Sequence, residues 1–150
     1  DGDRLGTVAA IGSAGTTYPI RIRATDGDGL WFEEDFVLAV DAALPPTGIT
    51  LSAGSIASSL PPGALVGQLG TVDGNSGDLH SYTLANGAGD NDNSLFVIAG
   101  AELRLASAVP AGRSSLLLRV ATTDLSGATF EAPFALEVSD PSVRIRKDAG

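Results

Sequence analysis

Cysteine and methionine are both absent from this 150-residue chain, histidine occurs once, and aromatic residues make up only 5% of it. The missing cysteines exclude disulfides and thiolate metal sites and leave the redox compartment open. With no second histidine, no multi-histidine zinc site can form. Without Met at residue 1, the chain is expected to be a mature or excised piece of something longer. No apolar run reaches membrane-spanning length, and the polar start, Asp1 to Gly6, has no signal-peptide core. Cationic charge is also scarce. The net charge of −9 argues against nucleic acid and anionic membranes as partners, because like charges repel.

Gly, Ser, Thr, Val and Leu are abundant, and strong helix formers are few. The 43% apolar content can build a core. Turn clusters recur about every ten residues, the rhythm of an all-β sandwich or barrel.

A shift of 98 residues lays 1–42 over 99–140 without a gap. Arg21 meets Arg119, Asp26 meets Asp124, Gly29 meets Gly127 and Glu33 meets Glu131. Phe32, Phe36, Leu38 and Val40 meet Phe130, Phe134, Leu136 and Val138. Roughly a quarter of the positions are identical and the apolar alternation is shared, which marks tandem modules. In each copy Phe-x-x-x-Phe-x-Leu-x-Val places alternate side chains on one face, as a half-buried strand requires. Tyr18, Ile20 and Ile22 alternate likewise before the loop. "DGDG" at 26–29 has the look of a metal loop, but its twin "DLSG" at 124–127 has one Asp and must make the same turn. The loop is therefore expected to be turn chemistry joining a hairpin.

The expected organisation is an all-β, immunoglobulin-like Greek-key β-sandwich repeated every 98 residues or so. Residues 1–41 read as the C-terminal part of one module, with three strands. Residues 42–47, "AALPPT", read as a Pro-rich linker, and 48–140 as a complete module. Its strands are expected at 48–58, 64–72, 80–84, 94–98, 101–107, 114–123 and 128–139. Residues 141–150 read as the start of a next module or a strand-donating tail, with Val143 and Ile145 on one face.

The runs "GITLSAGSIASSLPPGALVGQLGTVDGNSGD", "YTLANGAGDNDNSLFVIAGAELRLASAV" and "LLLRVATTDLSGATFEAPFALEVSD" together resemble a bacterial cadherin-like repeat. Dystroglycan-type cadherin-like modules are close neighbours of that pattern. The resemblance covers 48–140, and its closing third recurs in 1–42. It implies a Greek-key sandwich used in tandem in extracellular adhesion and stalk proteins.

Calcium-binding members clamp ions at each joint, and the resemblance carries their ligands over only in part. Asp73-Gly74-Asn75 matches the Asp-x-Asp loop, with Asn in place of the second Asp. Asp124 and Asp26 match the Asp before the last hairpin, and Asp41 and Asp140 the acidic linker. The first-strand Glu falls at Ser58. The Asp-x-Glu element falls at Pro110 and Gly112, or at Gly12 and Ala14. The metal candidates are thus Asp41, Asp73, Asn75 and Asp124, a set short of the six to eight oxygens calcium takes. No cofactor is expected to be required, although backbone carbonyls and water could complete a weak calcium site at the 42–47 joint. The "GAGDNDNS" loop at 87–94 carries Asp90 and Asp92 but no Glu at the EF-hand distance, and reads as a solvated hairpin loop.

Catalytic constellations are weak. His80 lies near Asp78 and Ser76, yet three residues so close in sequence cannot easily hold nucleophile, base and orienter in order. "IGSAG" at 11–15 is not a nucleophile elbow, because Ile stands first. Glu33 and Asp35 are expected to point to water. Trp31 shares their face, either packing on neighbours or serving as an interface anchor together with Val143 and Ile145. Phe32, Phe36, Phe96, Phe130 and Phe134 read as core. The expectation is a non-enzymatic, extracellular spacer or adhesive module of a bacterial surface protein or filament. Its partners would be either neighbouring repeats of a longer covalent tandem or copies of itself joined head to tail by strand addition. The competing expectation is a module binding a surface glycan or a protein, with Trp31, Tyr18 and Tyr82 as aromatic platforms.

Overall fold

The structure is a computed structural model and describes residues 14–75 and 77–140. They form two compact units, divided between Ala43 and Leu44. Of the interface candidates, Val143 and Ile145 lie outside the described residues, as do the third strand expected in 3–13 and the tail 141–150.

The first unit shows one antiparallel hairpin, β1 (Thr17–Thr25) and β2 (Trp31–Ala39). Tyr18 faces Leu38 and Ile20 faces Phe36 across the pair, so the apolar residues share one side. Arg21 faces Asp35 and Arg23 faces Glu33 on the other. Phe32 and Phe36, expected in a core, are 67% and 43% exposed, because no second sheet covers their side among the described residues.

The second unit is a sandwich. One sheet runs in the order β4 (Ser55–Ala57), β10 (Thr129–Ser139), β9 (Ser115–Thr123), β6 (Ser81–Leu84). The other runs β3 (Gly48–Leu51), β5 (Leu65–Val72), β8 (Glu102–Leu105), β7 (Phe96–Ala99). All pairings are antiparallel except β4 with β10. Two-residue alternation drives the packing. Leu116, Leu118 and Val120 of β9 meet Leu103 and Leu105 of β8 in one core, and all five are fully buried. Each such side chain contributes about 1.5–3 kcal/mol by leaving water. Phe134 and Val138 of β10 flank that core.

Two expectations are corrected. The single strand at 48–58 is broken into β3 and β4. The Ser52 N–H still reaches the Gln68 carbonyl, and its hydroxyl accepts from the Gln68 N–H. Two residues later the Gly54 carbonyl takes the N–H of Glu137 in the opposite sheet. The chain therefore changes sheets across Ser52-Ala53-Gly54. The crossing is tight: a Cβ on Gly67 would lie 3.1 Å from Ala53, Leu51 and Ser52 side-chain atoms. The strand expected to open at 94 instead opens at Phe96, after a 3-10 turn over Asn93–Leu95.

The end of the 42–47 segment is fastened to the second unit. Leu44 donates its N–H to Asn75 Oδ1 at 2.6 Å, Pro46 is buried, and Thr47 bonds the Val72 carbonyl through both N–H and hydroxyl.

Candidate functional site

In both acidic hairpin loops the first Asp makes the hydrogen bonds of its own turn. In the first, Asp26 Oδ1 accepts from the N–H groups of Asp28 and Leu30 at 3.0 and 2.9 Å. In the second, Asp124 Oδ1 accepts from the Ser126 hydroxyl and the Ala128 N–H, both at 2.8 Å. The backbone bonds repeat as well: Asp26 to Leu30 and Gly29 to Asp26, then Asp124 to Ala128 and Gly127 to Asp124. Gly29 and Gly127 take φ of 83° and 89°, which a side chain would resist. Each Asp is thus the organiser of its own turn.

Asp124 differs from Asp26 in its burial. Only 7% of it is exposed, and its Oδ2 is buried without a hydrogen-bond partner. Burial pushes its carboxyl up. Hydrogen bonds from the Ser126 hydroxyl and from the N–H groups of Ala128, Ser126 and Gly127 outweigh that and hold it below the usual carboxylate range.

The Asp73-Gly74-Asn75 loop is held from both sides. Asp73 Oδ1 accepts the Asn75 N–H at 2.9 Å, and Asp73 Oδ2 lies 3.0 Å from His80 Nε2. An ionised carboxylate only accepts, so that ring nitrogen carries the proton. The Asn75 N–H foremost, then the His80 ring, hold the Asp73 carboxyl below its ordinary range against the opposing effect of burial. No triad of His80 with Asp78 and Ser76 was expected; the His80 ring meets Asp73, and Ser76 lies outside the described residues. Ser81 pairs with Thr123, so His80 and Asp124 follow at the same end of that sheet. Asp41 is exposed and belongs to the first unit.

The 87–94 loop is not simply solvated. Asp90 Oδ2 accepts the Gly87 N–H, as a turn residue should. Asp92, however, is only 5% exposed. Its Oδ2 takes both Arg113 Nη2 at 2.7 Å and the Leu117 N–H at 2.8 Å. Asn93 Oδ1 takes the Arg119 N–H, and its amide donates to the Ala85 carbonyl. Side chains thus continue along β9 where β6 stops, and they cover an edge that would otherwise be open.

On the polar side of the first hairpin, Arg21 Nη2 bonds Asp35 at 2.9 Å, and Arg23 pairs with Glu33. Arg23 also stacks over Trp31, 4.6 Å from the ring centroid. Trp31 is 60% exposed. Glu33 and Asp35 are therefore in ion pairs, not merely turned to water. A longer diagonal pair, Arg21 to Glu33 at 3.9 Å, recurs in the second unit as Arg119 Nε to Glu131 at 2.9 Å. Tyr82, a supposed glycan platform, packs on the core and its hydroxyl accepts from Thr71.

No family model matches the chain, and no curated protein matches it. Solved structures do. Extracellular cadherin domains 1–5 of protocadherin gamma B2 superpose with a TM-score of 0.53 at 12% identity, over 89% of this chain and 38% of that one. The third cadherin domain of human protocadherin 7 gives 0.52 at 17% identity, over 68% of this chain and 92% of that domain. Human protocadherin-24 gives 0.52 at 19% identity, over 83% of this chain and 66% of that one. The fold is cadherin-like. The chain spans 38% and 66% of the two multi-domain structures, and at these identities the likeness concerns the fold.

Cadherin-like folds raise the question of calcium, and the donor set answers it. Both Asp73 oxygens and Asn75 Oδ1 already hold protein donors, and Asp124 Oδ1 is spent on its turn. Asp124 Oδ2 is the one charged oxygen of this group left open. Among the described residues, no three His, Asp or Glu side chains gather so as to hold a metal. The residues present do not fit a cage of six to eight oxygens.

Proposed function

We propose that the chain is a non-enzymatic spacer and adhesive module of a bacterial extracellular surface protein or filament, built of cadherin-like repeats joined end to end. The carrying observation is the duplicated hairpin. Two segments 98 residues apart make the same turn with the same hydrogen bonds and the same apolar face. Such duplication suits an array in which each unit packs against its neighbours and length is the product. In this reading its partners are neighbouring repeats or further copies, and calcium is dispensable, because protein donors occupy the loop oxygens. Growth by strand addition through Val143 and Ile145 is the finer part of the reading. Sedimentation of the chain with and without residues 141–150 tests it.

Glycan binding has weaker support. Tyr82 is committed to the core, and one face of Trp31 is taken by Arg23.

The test is small-angle scattering of chains carrying two and four complete repeats. Each repeat should lengthen the particle by about 40 Å, the span of an eleven-residue strand at about 3.4 Å per residue plus its joint. Particles that stay compact as repeats are added, or saturable binding on a glycan array, would refute the spacer reading.

A further inference from the structure

The loop that leaves β6 contains Asn86-Gly87, the single Asn-Gly step in the chain. The side-chain carbonyl of an asparagine is open to attack by the backbone nitrogen of the next residue, and a glycine there puts no side chain in the way. Both residues are exposed. Gly87 takes φ of 141°, and a Cβ on it would lie 3.2 Å from Arg119 Nε, so the loop admits no larger residue without strain.

The attacking nitrogen has a particular partner. The Gly87 N–H donates to Asp90 Oδ2 at 2.8 Å, within hydrogen-bond reach of a general base. The Asp90 N–H bonds the Gly87 carbonyl at 3.2 Å, and Arg119 Nη1 bonds the Ala88 carbonyl at 3.2 Å, so carboxylate and nitrogen are fixed in one turn. The other three asparagines are placed differently. Asn75 Oδ1 accepts the Leu44 N–H and Asn93 Oδ1 the Arg119 N–H, so both side chains are held. Asn91 is exposed, but the nitrogen that follows it, that of Asp92, donates to the Leu117 carbonyl, which is no base.

We propose that Asn86-Gly87 is a self-modification site, with Asp90 as the general base that removes the Gly87 amide proton. The Gly87 nitrogen bonds Asn86 Cγ as Asp90 takes its proton. The Cγ–Nδ2 bond then breaks, Asp90 returns the proton to the departing nitrogen, and ammonia leaves a cyclic succinimide behind. One water opens that ring at either carbonyl, giving aspartate or isoaspartate at position 86. Each product adds a negative charge to the loop that carries Asp90, and isoaspartate also adds a methylene to the backbone. The change falls next to Ala85, whose N–H bonds the Arg119 carbonyl and whose own carbonyl takes the Asn93 amide. This chemistry is independent of the spacer role.

The full chain is aged at neutral pH, and peptide mapping by mass spectrometry follows amide loss at each asparagine and resolves aspartate from isoaspartate. Asn86 should convert ahead of Asn75, Asn91 and Asn93 and give both products. Asp90→Asn keeps an oxygen for the Gly87 N–H but removes the base, and should slow conversion at Asn86 by about tenfold or more. Ageing the parent chain in guanidinium chloride needs no variant: unfolding separates Asp90 from Gly87, and conversion at Asn86 should slow by a similar factor of about ten. Asn86→Gln, whose attack would close a larger ring, should abolish the early mass gain. Conversion at Asn86 as fast in the unfolded parent as in the folded one, or as fast in Asp90→Asn as in the parent, overturns the proposal, because the hydrogen bond then holds the nitrogen without activating it. So does an Asn86 that ages no faster than Asn91.

Discussion

The Oγ1 atoms of Thr71 and Thr122 stand 2.7 Å apart, one on β5 and the other on β9, so the hydrogen bond joins the two sheets of the sandwich. Thr122 is fully buried, and Thr71 also bonds the Tyr82 hydroxyl at 2.9 Å. A polar pair inside a core must be satisfied within the protein or it costs stability. Thr122→Val removes one partner and should destabilise the second unit by about 1–2 kcal/mol in urea unfolding. With Thr71→Val as the second arm, a double-mutant cycle should give a coupling of about 0.5–1.5 kcal/mol. Strictly additive single effects would mean that the two hydroxyls do not bond.

The two hairpins make an internal comparison. Leu136 is fully buried and its equivalent, Leu38, is 37% exposed. Leu136→Ala should cost about 2–5 kcal/mol, and Leu38→Ala under about 1 kcal/mol. Phe134→Ala, partly buried against the core, should approach about 3 kcal/mol, while exposed Glu137→Ala should cost under about 0.5 kcal/mol. Equal losses at Phe134 and Glu137 would place the β10 register one residue off, since a one-residue slip exchanges the faces.

That register was legible in the sequence because Phe130, Phe134, Leu136 and Val138 alternate with polar or small residues, and a period of two needs no tertiary information. The hairpin turn was legible for a related reason: its bonds, from Asp124 to Ala128, span four residues. The rest depended on distant partners. Asp92 meets Leu117 25 residues away, and nothing near "GDNDNS" distinguishes a buried carboxylate from a solvated one. The break at Ser52-Ala53-Gly54 comes from competition between Gln68 and Glu137 for one strand, which composition does not show. The partner of His80 was not legible, because it lies across a loop that folds back to Asp73. Phe32 and Phe36 share the side that the alternation marks as apolar, yet they are exposed, because a core needs a second sheet as well as an apolar face.

Calcium removal should leave the second unit unmoved. Its loop oxygens are held by Leu44, Asn75 and His80. Thermal unfolding with excess chelator should shift the midpoint by no more than about 2 °C, within the shift of a fraction of a kcal/mol. A drop of ten degrees or more would restore Asp73, Asn75 and Asp124 as ligands.

Acid should act mainly through two carboxyls, because Asp35 and Glu102, also held below their ordinary range by arginine, are exposed and screened by water, whereas the side chains of Asp73 and Asp124 are buried. Asp73 and Asp124 both titrate below the ordinary range in the folded chain. The unfolded chain, with carboxyls near about 3.9, then binds more protons than the folded one in the acid window. Their contribution is therefore fully present above about pH 4 and is lost as pH falls through the folded values. Urea midpoints measured from neutral pH down to about pH 2.5 should fall most steeply below about pH 4. Asp73→Asn should lower stability at neutral pH and flatten the acid limb. An acid limb as steep in this variant as in the parent would remove Asp73 from the account.

The side-chain clasp on β9 yields a ranking of losses. Asp92 is buried, whereas Arg113 is 41% exposed at its side chain, so the two ends of their ion pair are unequal. Asp92→Ala strips the Leu117 N–H of its acceptor and deprives Arg113 of its anion, and should cost about 2–4 kcal/mol. Arg113→Ala leaves the carboxylate with its backbone donor and should cost about 1–2 kcal/mol. Glu131→Ala breaks a surface pair with Arg119 and should cost under about 1 kcal/mol. Hydrogen exchange provides the second readout, because the clasp acts on particular amides. Asp92→Ala should speed exchange at Leu117 and leave Leu118, which faces the core on the same strand, as slow as the remaining global stability allows. A uniform acceleration along β9 would mean that Asp92 supports the sheet as a whole and does not close its edge.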